Sequence, residues 1–163
     1  MGLPTLFTIL CLTCSFASSL PLNATALPSL GMILGPNCPP TPTFGRGTFA
    51  ETVDCGAAML ELPQIPHVGR FHTSNVRQPG DTFVLPVVRT YGQCRLTVAL
   101  SEKAVAAGHH YDVSSWVQIG AVAAQLGIAC TFTRGDSQPL MGGHAVTGEA
   151  RRIQITIDRK PKG

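Results

Sequence analysis

At 163 residues the chain has the length of one domain, and an apolar share of 44% supplies a core once terminal segments are set aside. Only 13% of it is charged, which argues against a solvated disordered chain and a nucleic-acid binder, and a net charge of +3 is too small to imply an acidic partner. Arg151, Arg152, Arg159, Lys160 and Lys162 carry much of the basic excess, read as a solvated strand edge and a basic tail over 159–163.

Residues 1–19 have the form of a secretory signal peptide. An apolar run from Leu6 to Cys14 precedes the small residues Ser15, Ala17, Ser18 and Ser19, which suit cleavage after Ala17 or Ser19. The run is shorter than the ~20 residues a bilayer needs, and Pro21 closes it, so no membrane span is expected in the mature chain. Cys11 and Cys14 mimic a CxxC pair but lie inside this discarded segment.

Residues 20–49 read as an extended arm, because Pro21, Pro28, Pro36, Pro39, Pro40 and Pro42 exclude a helix or a central strand. Asn23-Ala24-Thr25 within it is an N-glycosylation sequon, usable only on the secretory route.

A folded domain is expected over 50–158. Thr52 or Asp54 is placed to cap a short helix in which Cys55, Ala58, Met59 and Leu62 share one face until Pro63 stops it. From Gln64 to Asp81 the chain reads as a loop with a brief strand around Phe71. Thr82 to Val88 is β-rich, and Pro86 confines it to a sheet edge or a bulge. After a Tyr91-Gly92 turn, Cys94, Leu96, Val98 and Leu100 alternate with Arg95, Thr97 and Ala99 and form a strand with one core face. Residues 103–113 read as a loop.

The longest clean period follows. Trp116, Ile119, Ala123, Leu126 and Cys130 make the apolar stripe of a helix, and Ser115 with Gln118 matches a capping box. Gly142, Gly143 and Gly148 mark a loop, after which Ile153, Ile155 and Ile157 alternate with Gln154 and Thr156 as the clearest strand. These elements are satisfied by an α+β fold, a two-layer sandwich of a small, mainly antiparallel sheet of three to four strands with two helices on one face.

Cys38, Cys55, Cys94 and Cys130 remain once the signal is removed, an even number in an oxidising compartment, so two disulfides are expected and three pairings are possible. Zinc is disfavoured because no close CxxC pair or histidine accompanies them. In an antiparallel helix pair the first turn of one helix lies beside the last turn of the other, which favours Cys55 with Cys130 and leaves Cys38 for Cys94.

Asp54-Cys55, Leu62-Pro63, Leu85-Pro86, Gly92-Gln93-Cys94, Ser115-Trp116, Cys130, Gly142-Gly143 and a terminal Ile-x-Ile strand together resemble a group of small cysteine-containing secreted proteins of filamentous fungi. The two-helix sandwich is also similar in architecture to killer-toxin-like effectors. The resemblance implies a secreted, disulfide-bonded candidate effector and brings no catalytic residues with it.

No metal or cofactor is expected. His109-His110 are adjacent and point to opposite sides of an extended loop, while His67, His72, Asp81 and Glu61 are too scattered for an acid–base pair. Arg95, Thr97, Gln154 and Thr156 face outward from the two best strands, without a general base. The expected function is therefore non-catalytic binding of a host or cell-wall component by a monomer outside the cell. His109, His110 and Tyr111, together with Gly142, Gly143, His144 and on to Val146, are the candidate binding loops. A small secreted hydrolase directed at RNA or glycan is the alternative.

Overall fold

Alternation of apolar residues builds the centre of the molecule. β5 (Cys94–Leu100) and β10 (Ile153–Arg159) pair antiparallel along their whole length, from Ile153 opposite Leu100 to Arg159 opposite Cys94. β4 (Val87–Tyr91) flanks β5 and β9 (Gly143–Thr147) flanks β10, giving a four-stranded antiparallel sheet in the order β4-β5-β10-β9. In the central pair Cys94, Leu96, Val98, Leu100, Ile153, Ile155 and Ile157 are buried on one face. The computed structural model describes residues 36–38, 49–73, 80, 82–133 and 138–161; the signal segment, Asn23, most of the arm, Asp81 and the last two residues lie outside them.

α3 (Trp116–Ala129) forms where its period places it. Ser115 Oγ accepts the Gln118 N–H at 3.1 Å, and Trp116, Ile119, Ala123 and Leu126 are buried. The second half of the expected capping box is replaced by a different contact, since Gln118 Oε1 accepts from the Ser114 hydroxyl at 3.1 Å. α1 (Thr52–Leu60) buries Cys55 and Ala58. Neither expected residue caps it: Thr52 donates both its N–H and its hydroxyl to the Pro139 carbonyl, each at 3.0 Å, and Asp54 accepts the Gln93 N–H at 2.7 Å. α1 packs on β4 and β5, α3 packs on β9 and β10, and the two helices touch each other.

The remaining strands make the fold richer than one sheet. β2 (Gly69–Thr73) pairs in parallel with β3 (Thr82–Leu85) and antiparallel with β6 (Tyr111–Ser114), and β1 (Ala50–Glu51), β8 (Leu140–Met141) and β7 (Thr131–Phe132) form a third sheet. Pro86 lies where the chain leaves the β2 sheet and enters the four-stranded one. The stretch read as a loop over 103–113 holds α2 (Glu102–Ala106), capped by Ser101, and the start of β6. Among the described residues the fold is thus α+β, with three helices and three mainly antiparallel sheets.

Both disulfides form, with pairings that correct the expected ones: Cys38 joins Cys130 and Cys55 joins Cys94. The reason lies in how the helices meet. A β-carbon on Gly127 would lie 3.1 Å from Met59 Cε, so the last turn of α1, not its first, approaches the last turn of α3. Cys55, in the first turn, sits instead over the start of β5, with Cα atoms of Cys55 and Cys94 5.1 Å apart. The arm reaches Cys130 because Asn37 forms an antiparallel bridge with His144 at the start of β9.

Candidate functional site

The four-stranded sheet has a second face, opposite the buried residues of β5 and β10. Strand register sets it out in three rows, because residues two apart on a strand share a face and paired residues stand side by side. Thr90, Arg95 and Asp158 form one row; Val88, Thr97, Thr156 and His144 the next; Ala99, Gln154 and Val146 the third. With about 4.8 Å between strands and about 6.8 Å between rows, the face covers roughly 14 Å by 14 Å.

Its polar groups are partly organised. Arg95 Nε and Nη2 meet Asp158 Oδ1 and Oδ2 at 2.8 and 2.6 Å, a bidentate pair across the strands whose side chains remain 36% and 27% exposed. The hydrogen bond to Asp158, and then its charge, raise the Arg95 guanidinium above its ordinary pKa. Gln154 Nε2 donates to Thr156 Oγ1 at 3.2 Å, so the Thr156 hydroxyl proton and the Gln154 carbonyl oxygen point to other partners. Thr97, Thr156, Gln154 and His144 are all half-buried, and Val88 and Val146 are exposed at the outer strands.

Of the expected binding loops this face takes up His144 and Val146. Gly142 and Gly143 are buried, and residues 143–147 are strand β9 rather than an exposed loop. Gly143, at φ 149°, lets the arm come close: a β-carbon there would stand 3.0 Å from the Asn37 carbonyl oxygen and 3.1 Å from Cys130 Sγ. His109 and His110 are exposed elsewhere, between α2 and β6, with the His109 N–H on Ala104 O at 2.9 Å and the His110 carbonyl accepting from Thr73 at 3.2 Å. Tyr111 opens β6 opposite His72, and its ring lies 5.3 Å from the Arg70 guanidinium. The two expected loops therefore belong to different sheets.

The best-placed carboxylates hold backbone turns. Asp112, 2% exposed, accepts from Val113 and Ala150 on one oxygen at 2.8 and 3.0 Å and from Arg152 on the other at 2.7 Å. His72, also buried, donates from Nδ1 to the Thr73 carbonyl at 2.9 Å. The basic end is tied in as well, since Arg159 closes β10 and the Lys160 N–H reaches Gln93 O at 2.7 Å. Asp158 was legible only through pairing register, and His144, expected on a loop, needed the same register to be placed on this face beside Thr156.

Among the described residues no three His, Cys, Asp or Glu side chains gather as a metal site, and no helix is long and apolar enough to cross a membrane. No family model matches the chain, and neither a curated protein nor a solved structure matches it.

Proposed function

We propose that the protein is a secreted, non-catalytic binding protein, a two-layer scaffold stapled by two disulfides that offers the outer face of its four-stranded sheet to a target outside the cell. The observation that carries this reading is where the charges go. Asp54 and Asp112 are engaged by backbone N–H groups, and Asp158 is closed on Arg95, so the face offers hydroxyl, amide and imidazole groups on a rigid support.

Secretion is supported by the apolar leader Leu6–Cys14 and by the two disulfides, which persist in oxidising compartments. The likeness to small secreted proteins of filamentous fungi supports an effector role toward a host or cell wall, with the protein acting as a monomer. Incubating the secreted protein with cell-wall polysaccharides, RNA and a host extract tests the reading: retention without any product supports it. Turnover of any of these, lost in His144→Gln, replaces it with the hydrolase reading, which His144 favours by sharing a row with Thr97 and Thr156.

A further inference from the structure

We propose that Cys38–Cys130 is a thiol-operated clasp: a low-molecular-weight thiol opens it, the arm leaves the edge of β9, and the domain stays folded on Cys55–Cys94. The two bridges sit in opposite surroundings. Cys55 and Cys94 are both 0% exposed and join α1 to the start of β5 inside the core. Cys38 is exposed, and its partner Cys130 closes α3 at 5% exposure. Thiol–disulfide exchange needs a thiolate to reach one of the two sulfurs, so access selects the outer bridge and, within it, the Cys38 side.

The exchange consumes two thiols. The first thiolate bonds to Cys38 Sγ, the S–S bond breaks, and Cys130 leaves as a thiolate that takes up a proton. The second attacks the sulfur of the first in this mixed disulfide, frees Cys38 as a thiol and departs as the oxidised thiol dimer. Two electrons have then passed from the thiols to the bridge.

Little else holds residues 36–38 once the bond is broken. Among the described residues, Asn37 and His144 exchange two backbone hydrogen bonds at 3.0 and 3.1 Å in a single β-bridge, and Cys38 Sγ stands 3.6 Å from the Ala129 carbonyl oxygen, where a thiol is a weak donor. The net gain from so few contacts does not offset the entropy of ordering a surface segment, so the covalent bond keeps the arm on its seat at Gly143. The main sheet does not depend on that segment. β5 and β10 pair over seven residues, and β4 and β9 pair with them in turn. Opening lowers stability through the long loop it releases, at a sequence separation of 92, and leaves this ladder in place. It also bares the His144 N–H and C=O on an edge strand. The protein thus has two forms whichever target the outer face takes: clasped in an oxidising compartment and open where thiols are abundant.

The test titrates the secreted chain with reduced glutathione at neutral pH. Free thiols are alkylated and mapped by peptide mass, while amide hydrogen exchange and Trp116 fluorescence are read on the same samples. Cys38 and Cys130 are expected to label at a thiol concentration at least about tenfold below that needed for Cys55 and Cys94. At that first step exchange of the His144 amide should rise about tenfold or more, with β5 and β10 still protected and Trp116 emission unchanged. The variant Cys38→Ser with Cys130→Ser should fold and show the same fast His144 exchange with no thiol added. Labelling of all four cysteines in one step, loss of native Trp116 emission at the first step, or failure of the variant to fold would show that the outer bridge belongs to the cooperative fold and would overturn the clasp. Labelling of Cys38 and Cys130 with His144 exchange unchanged would overturn release of the arm.

Discussion

Asp112 occupies the space that a β-carbon on Gly148 would fill. The turn from β9 to β10 wraps around this carboxylate, which receives N–H groups from Ala150 and Arg152 as well as from its own neighbour Val113. Gly148 has φ 93°, a conformation that side chains resist, so overlap and backbone both oppose replacement. Asp112→Ala is expected to cost about 3 kcal/mol, because it leaves the Val113, Ala150 and Arg152 N–H groups without this acceptor, and Gly148→Ala about 2 kcal/mol or more. Urea midpoints should fall for both with an unchanged denaturant slope.

Asp54 and Cys55 act as one joint with Gln93 and Cys94. The carboxylate takes the Gln93 N–H at 2.7 Å, and the next residue on each side closes the disulfide. Asp54→Ala should cost about 1 to 2 kcal/mol with the disulfide intact. A double-mutant cycle against Cys55→Ser with Cys94→Ser should be non-additive, since each contact holds the other in register.

The two disulfides differ in exposure. Cys55 and Cys94 are both fully buried, whereas Cys38 is exposed and ties the arm to Cys130. Mild reduction should open Cys38–Cys130 first, and peptide mapping of the intact protein should recover Cys38 with Cys130 and Cys55 with Cys94. In the chain-entropy model the bridges stabilise by about 5 and about 4 kcal/mol respectively. Recovery of a Cys55–Cys130 peptide would contradict the observed packing of α1 on β5.

Trp116 is the one tryptophan, 3% exposed, and its ring meets Phe71 edge-on at 5.0 Å and Phe83 at 5.8 Å. Native fluorescence should be blue-shifted and move to the red on unfolding. Trp116→Ala should cost about 3 to 5 kcal/mol, the range of large-to-small core changes. A native spectrum matching the denatured one would overturn this placement.

Leu60 and Ile128 test the same helices from outside. They are 82% and 80% exposed, so Leu60→Lys and Ile128→Lys should each change stability by no more than about 0.5 kcal/mol. Leu126→Ala, two residues before Ile128 on the same helix but with 0% exposure, should cost about 2 to 5 kcal/mol by calorimetry or denaturant.

Local period alone determined much of this protein. The stripe of α3 with its Ser115 cap, the inward faces of β5 and β10, and the burial of Cys55, Cys94 and Cys130 all follow from which neighbours along the chain are apolar. Short elements escaped that signal. β6 has four residues and turns the polar Asp112 and Ser114 inward, and β2 buries both Phe71 and His72, so neither shows a clean alternation of apolar residues. Tertiary structure decided the rest: which cysteines meet, that Gly142 and Gly143 lie buried with Gly143 against Asn37, and that His144 and Asp158 join Arg95, Thr97 and Thr156 on one face. Those outcomes depend on strand register and helix docking between residues far apart in sequence, and a period along one element carries no information about its partner.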